Sequence, residues 1–287
     1  MRLGTCVPVL AWLMSWGCVA NDQAEKSGGN PGSANGSAAA LLGAGDREVL
    51  TFESWSVVKV VLNSPASPQL SASFCRFRSP LAWAERLGPD GQCRLLRWLP
   101  MDRVPFDAVN LDTGEITVDV GGSSVVLPPA DPALPCWREA TGPLPAIRAG
   151  DTIRVRATGG ADVPAFDLSL AVPEAARLSE PATPAAFTIG APWDFAWTTS
   201  RASDMFLEIR GVLDGTDLVA SCRGLDATSI RLPPELTGLW PTAASRVRAQ
   251  VGTEVQTATA TEPAVTLRIT AFGEFDGMPI DVATVAP

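Results

Sequence analysis

The stretch TIRVRATGGADVPAFDLSLAV, residues 152–172, carries the pattern that determines the fold class. Ile153, Val155 and Ala157 alternate with polar residues, and the alternation resumes at Phe166 after a segment containing two glycines and a proline. Alternation of apolar and polar residues is typical of a β-strand with one buried and one solvated face. The stretch therefore predicts two consecutive strands of an antiparallel sheet.

The same alternation recurs along most of the chain. Further runs begin at Val49, Ile116, Trp193, Met205, Val247 and Val265. The 25 prolines and 25 glycines suit many turns and leave little room for long helices. Short helical turns are predicted only at residues 234–239 and around residues 80–87. The predicted fold class is therefore all-β, built from antiparallel sandwiches.

A domain boundary is predicted within residues 173–183, where prolines surround a short charged segment. It divides the body into a first β-sandwich domain, residues 49–173, and a second, residues 174–287. Each has the ordinary size of an Ig-like sandwich. One large sandwich with a long crossover is the alternative, because β domains can exceed roughly 200 residues.

The N-terminus has the features of an export signal, residues 1–17. Arg2 supplies a positive start, and residues 3–16 are uncharged and almost entirely apolar. A run of about 14 such residues fits a signal-peptide core and is shorter than the roughly 20 that a spanning helix needs. The chain is therefore expected to be exported.

Residues 15–18, Ser-Trp-Gly-Cys, resemble a bacterial lipoprotein box in which Cys18 is acylated and becomes the first mature residue. Residues 18–48, rich in Gly, Ser and Ala, would then form a flexible linker between the lipid and the sheets. Val19 provides no inner-membrane retention signal of the Asp type, so the outer membrane is the expected location. Cleavage after Ala20, which would release a soluble secreted protein, is the alternative.

The body of the chain holds four further cysteines: Cys75, Cys93, Cys136 and Cys222. An even number in an exported chain predicts two disulfides, with three connectivities open. The turn signal at residues 89–91 favours a hairpin that pairs Cys75 with Cys93. Cys136 and Cys222 would then either pair across the domain boundary or remain thiols. The absence of C-x-x-C pairs argues against a zinc site.

The amino-acid composition excludes several classes of function. The sequence has no histidine, which excludes Ser-His-Asp and Cys-His catalysis and histidine-ligated metals. A net charge of −9 without a basic stripe argues against nucleic acid as a partner. We therefore predict no catalytic residue, cofactor or metal site, and expect a non-enzymatic binding or structural protein whose partner is an envelope polysaccharide or protein. An extracytoplasmic hydrolase that uses carboxylates alone, such as a glycosidase, is the alternative.

Two motifs could carry chemistry. Ser56 and Lys59 match an S-x-x-K box, but a strand places residues three apart on opposite faces, so we interpret the match as chance. Glu115 and Asp119 share a strand face and could act as a carboxylate pair or bind Ca²⁺. Arg154 and Arg156 on another strand are the expected cross-strand partners of these carboxylates, which favours a solvated surface instead.

Several phrases resemble a family of uncharacterised exported lipoproteins of myxobacteria and related high-GC genera. They include LDTGEITV at residues 111–118, AGDTIRV at residues 149–155 and DFAWT at residues 194–198. The resemblance implies export, a lipid anchor and a β-sandwich body. It implies no catalytic residues, because the family has no assigned activity.

The anchor prediction can be tested by labelling. In a Gram-negative host, the full chain should incorporate labelled palmitate and partition into detergent, because two or more acyl chains hold a protein stably in a bilayer. Cys18→Ser should lose both properties, whereas the control Cys6→Ser should keep them. Retention of both properties in Cys18→Ser would contradict the anchor.

Overall fold

The computed structural model describes most of the chain after the predicted linker. It covers residues 47–62, 68–88, 91–99, 108–130, 136–181, 185–199, 205–213, 216–225, 228–240, 245–272 and 278–283. The predicted signal peptide, Cys18 and the linker up to residue 46 lie outside the described residues. The all-β prediction is confirmed: within these ranges the structure consists of strands and one short helix.

Strands and helix are numbered in chain order. The strands are β1 (Arg47–Leu62), β2 (Pro68–Leu87), β3 (Cys93–Trp98), β4 (Ala108–Asn110), β5 (Ile116–Val120), β6 (Ser123–Leu127), β7 (Trp137–Glu139), β8 (Thr152–Ala157), β9 (Phe166–Ala171), β10 (Arg177–Glu180), β11 (Ala185–Thr188), β12 (Trp193–Thr198), β13 (Met205–Leu213), β14 (Thr216–Leu225), β15 (Ser229–Leu232), β16 (Ser245–Ala258), β17 (Thr266–Phe272) and β18 (Met278–Ala283). The helix α1 spans Pro234–Thr237.

The largest sheet has eleven strands, in the order β11-β18-β16-β13-β14-β3-β2-β1-β17, with β4 and β7 also paired to β2. The additional pairing of β16 with β17 closes seven of these strands into a hydrogen-bonded ring, β16-β13-β14-β3-β2-β1-β17. The contact of β1 with β17 is parallel, and the other contacts in the ring are antiparallel. Closure gives this sheet an inner and an outer face.

Two small sheets pack on the outer face of the ring and form two cores. The four-stranded sheet β6-β5-β8-β9 packs on β1, β2 and β17, with Val58, Phe74 and Ile269 fully buried between the layers. The three-stranded sheet β10-β12-β15 packs on β3, β13, β14 and β16, with Trp193 and Leu207 in that core. Each small sheet thus makes a two-layer sandwich with one part of the ring.

Both predicted domains contribute strands to the ring. Residues 173–183 do separate the two small sheets, since β9 ends at Ala171 and β10 begins at Arg177. The large sheet, however, takes strands from both sides of that boundary. Ile269 of β17 lies in the first core and Leu95 of β3 lies in the second, so neither core is built from one contiguous half of the chain.

One of the two predicted helical segments is confirmed. Helix α1 begins directly after Pro233 and lies within the predicted residues 234–239. The prediction of a helix around residues 80–87 is wrong, because this segment is the end of β2 and pairs with β3 through Ala84 and Leu87. Strand pairing overrides the local preference there. Within the described ranges, no helix is both long and apolar enough to cross a membrane.

The alternation in β5 provides a stability test. Ile116, Val118 and Val120 are buried in the first core, whereas Glu115 is exposed and Thr117 is half-buried. Val118→Asp should reduce the free energy of unfolding by more than about 3 kcal/mol, because it removes a buried valine and places a carboxylate in an apolar core. Thr117→Asp should change the melting temperature little. The reverse ranking in thermal melts would contradict the register of β5.

Candidate functional site

A groove with a volume of about 590 Å³ lies where the loop before β5 meets β6 and β7. Its polar residues are Asn110, Asp112, Glu115 and Arg138, and its apolar wall is formed by Val126, Leu127, Pro128, Pro129 and Ala130. β6 is the end strand of the four-stranded sheet in the described structure. The groove therefore runs along a sheet edge, at the seam between this sheet and the ring.

Asp112 holds the loop before β5 in place. Its carboxylate accepts the backbone N–H groups of Ala161 and Gly114, each at 3.0 Å. These hydrogen bonds favour the ionised form, so they lower the pKa of Asp112. The Asp112 N–H in turn donates to the carboxylate of Asp162 at 2.8 Å. A Cβ on Gly160 would lie 2.4 Å from the Asp112 carboxyl group, so this close approach requires glycine.

Arg138, on β7, is a buried cation beside this loop. Only 7% of the residue is exposed, and its guanidinium lies 6.0 Å from the centre of the Phe74 ring. One terminal nitrogen donates to the carbonyl oxygen of Gly114 at 3.2 Å, while Nε has no hydrogen-bond partner in the described structure. Burial lowers the pKa of Arg138, and the charge of Asp112 opposes that shift. The groove thus combines a buried positive charge with carboxylates and an apolar wall.

The two carboxylates that the sequence suggested as a pair are not brought together. Glu115 lines the groove, whereas Asp119 does not line it and contacts Arg156 of β8 at 2.6 Å. The predicted cross-strand pairing of Asp119 with Arg156 is confirmed. Arg154 pairs with Asp167 instead. Hydrogen bonds from Ser124 and then from Arg156 lower the pKa of Asp119. The two arginine–aspartate pairs together line this face of the four-stranded sheet with surface ion pairs.

A second polar cluster lies on the inner face of the ring. Glu208 of β13 and Glu254 of β16 are 3% and 7% exposed, and Arg223 of β14 lies 3.3 and 3.4 Å from them. Arg210 approaches Glu208 to 2.7 Å, and Arg268 approaches Glu254 to 3.7 Å. The carboxylates are thus paired where water is largely excluded, which indicates a structural role.

The S-x-x-K residues also fall at the ring. Ser56 and Lys59 are both on β1, three residues apart in a strand, so they lie on opposite faces as expected. Lys59 is buried on the inner face, opposite Arg268 of β17 and Ser71 of β2. The strand therefore keeps the hydroxyl and the amine apart.

The predicted disulfide connectivity is wrong. Cys93 is bonded to Cys222, its partner in the register between β3 and β14. Strand β3 does pair with β2, but it pairs with residues 84–87 at the end of β2 and not with the strand that precedes Cys75, which pairs with β7 instead. Cys75 lies twelve residues before the end of β2. At a rise of about 3.3 Å per residue, this length of strand separates Cys75 from Cys93 by much more than a disulfide can span. Cys75 and Cys136 are both buried thiols.

The sequence patterns did not predict that Asp112 and Arg138 line a groove. The Asp-Thr-Gly segment at residues 112–114 is a turn signal that could have identified Asp112, because an aspartate side chain often accepts the N–H two residues on. Arg138 carries no such local signal. Among the residues that the structure describes, no cluster of three or more acidic or cysteine side chains is placed to hold a metal ion.

Comparison with models of protein families found no match to this chain, and comparison with curated proteins found none either. One solved structure, from work on the host cell surface retention of a 1.5-MDa bacterial ice-binding adhesin, aligns with 82% of this chain at 8% identity. The alignment spans 66% of that chain, with a TM-score of 0.19. A TM-score this low does not indicate a shared fold.

The role of Asp112 predicts a pH-dependent stability. Its pKa is lowered in the folded protein, so its stabilising effect is present above the ordinary aspartate pKa, about 3.9, and is lost as the pH falls through the folded value. Asp112→Asn should lower the melting temperature at pH 7, and this difference should shrink below about pH 4.

Asp194→Asn is the matched control for Asp112→Asn. Asp194 also has a lowered pKa, but the cause is Arg231 in an exposed ion pair, which contributes little to stability. Its substitution should therefore change the melting temperature less at pH 7. Equal melting temperatures for Asp112→Asn and the unmodified protein at pH 7 would contradict the structural role of Asp112.

Proposed function

We propose that this chain is a cell-envelope lipoprotein that binds an extended envelope polysaccharide or protein along the groove and does not turn it over. In this proposal Cys18 anchors it to the outer membrane, and residues 18–48 hold the sheets away from the bilayer. The two cores act as Ig-like sandwiches that share the ring.

The shape and lining of the groove carry the proposal. Val126 and Leu127 of β6 line the groove, along the edge of β6 that is unpaired in the described structure, and Val126 is 54% exposed there. Pro128 and Pro129 keep the next stretch of wall rigid and remove two backbone donors. Asn110 and the buried Arg138 also line the groove and supply polar groups. An apolar wall facing a few fixed polar groups is typical of a ligand-binding surface.

The chemistry of the groove favours binding over hydrolysis. A glycosidase pair needs one carboxyl group that is protonated near neutral pH and a second that is ionised. Both oxygens of Asp112 already accept backbone N–H groups, and these bonds lower its pKa, so Asp112 is a poor proton donor. Its carboxylate supports the loop instead.

One observation keeps the hydrolase alternative testable: Asp112 and Glu115 line the same groove. If the groove were catalytic, Glu115 would have to supply the proton. Glu115→Gln would then abolish turnover while leaving binding largely intact.

The experiment measures binding and turnover together. The purified full-length protein is incubated with cell-wall and exopolysaccharide fractions, and both the bound protein and the released sugars or peptides are quantified. Val126→Asp should weaken binding by about ten-fold or more, because it places a charge on the apolar wall. The control Val49→Asp changes a valine that is equally exposed, 53%, but lies on β1 outside the groove, and should bind normally.

Two outcomes would overturn the proposal. Equal binding by Val126→Asp and Val49→Asp would show that the groove is not the binding surface. Product release that Glu115→Gln abolishes would establish the hydrolase alternative.

A further inference from the structure

We infer that Cys75 and Cys136 form a second disulfide in the exported protein, joining β2 to the residue that precedes β7. This connectivity differs from the one expected from the sequence. It also goes beyond the proposed binding function, because it holds whether or not the groove takes a ligand.

The pairing of β2 with β7 brings these residues together. The two strands are antiparallel with Ser73 opposite Trp137, so the next position along places Phe74 opposite Cys136. The Phe74 N–H donates to the carbonyl oxygen of Cys136 at 3.1 Å, which confirms this register. Cys75 is therefore one residue from the point where the backbone of Cys136 is held.

The two side chains meet at this point. Interaction between the two thiols lowers the pKa of Cys75 and raises that of Cys136. The Ser73 hydroxyl lies 3.6 Å from the Cys75 sulfur. Both cysteines are almost fully buried, at 4% and 1% exposure. Both thiols are therefore enclosed beside the point where β2 and β7 pair.

The backbone of Cys136 supplies a second observation. Its φ angle is 76°, in the left-handed region that residues other than glycine seldom occupy. Such a conformation persists only where the surroundings impose it. A covalent bond to Cys75, together with the hydrogen bond from Phe74, would impose it from both the side chain and the main chain.

The bond would form by thiol–disulfide exchange during folding, since both sulfurs are buried in the folded chain. A cysteine thiolate attacks the disulfide of an oxidant, either a protein or a small molecule, and the second thiolate then displaces that oxidant. Two thiols lose their protons, the new S–S bond forms, and the electron pair reduces the oxidant to two thiols. The compartment that permits the Cys93–Cys222 bond also permits this one.

The bond would also support the groove. Cys136 is two residues before Arg138, and the segment from Cys75 to Cys136 contains the loop of Asp112 and the apolar wall at Val126. Closing this segment covalently would fix one side of the groove against the other. The inference can nevertheless fail independently of binding, because its test reads the covalent bond directly.

Tryptic mapping tests the inference on the full chain. Cleavage after Lys and Arg places the four cysteines in four separate peptides, residues 60–76, 87–94, 104–138 and 211–223. The protein is alkylated in denaturant without reductant and then digested. We expect peptide 60–76 linked to peptide 104–138, and peptide 87–94 linked to peptide 211–223. Recovery of peptides 60–76 and 104–138 as separate alkylated species would overturn the inference.

Stability gives a second measurement. A disulfide that closes a segment of this length should raise the melting temperature by about 10 °C. Cys75→Ser, Cys136→Ser and the double variant should then lose nearly the same amount, because each removes the same bond. Losses that add up in the double variant would indicate two independent thiols. Cys93→Ser/Cys222→Ser is the matched control, and it should leave the link between peptides 60–76 and 104–138 intact.

Discussion

Closure of the seven-stranded ring is the constraint on which the rest of the structure depends. The contact between β16 and β17 joins seven consecutive residue pairs, from Gly252 opposite Phe272 to Ala258 opposite Thr266. Without this contact the sheet would be open, and solvent would reach both of its faces. With it, one face is enclosed and the other must be covered from outside. The two small sheets provide that cover, and each creates an apolar core where it packs on the ring.

Closure also explains how charged side chains come to be buried. Val61, Phe206 and Phe272 form an apolar contact on the inner face, although they come from three different strands, β1, β13 and β17. Glu208 and Glu254 lie on the same face, and Arg223 and Arg268 pair with them. Removing one partner of such a pair would leave an uncompensated buried charge, which typically costs about 3–5 kcal/mol. Each buried charge of the inner network therefore depends on its partner.

The groove exists because β2 is long enough to serve several neighbours. Along one edge β2 pairs with β7, β4 and then β3, while its other edge pairs with β1 along most of its length. The chain that leaves β4 enters the loop of Asp112 and continues into the four-stranded sheet. The seam between ring and small sheet is therefore crossed by backbone, and the groove is the space left beside that crossing. Asp112 lies on the crossing loop itself, and Arg138 lies on β7, which pairs with β2.

The sequence by itself determined which side of each strand is buried, as in β5 and β8, and it excluded histidine chemistry. Alternation encodes burial because successive side chains of a strand point to opposite faces. Only the tertiary structure decided which strands are neighbours: it placed β17 in the first core, joined Cys93 to Cys222 and brought Arg138 to Asp112. The physical reason is that strands pair through backbone groups, which are nearly the same at every residue. The choice of partner therefore depends on how whole sheets pack and close, and no local pattern of side chains records it.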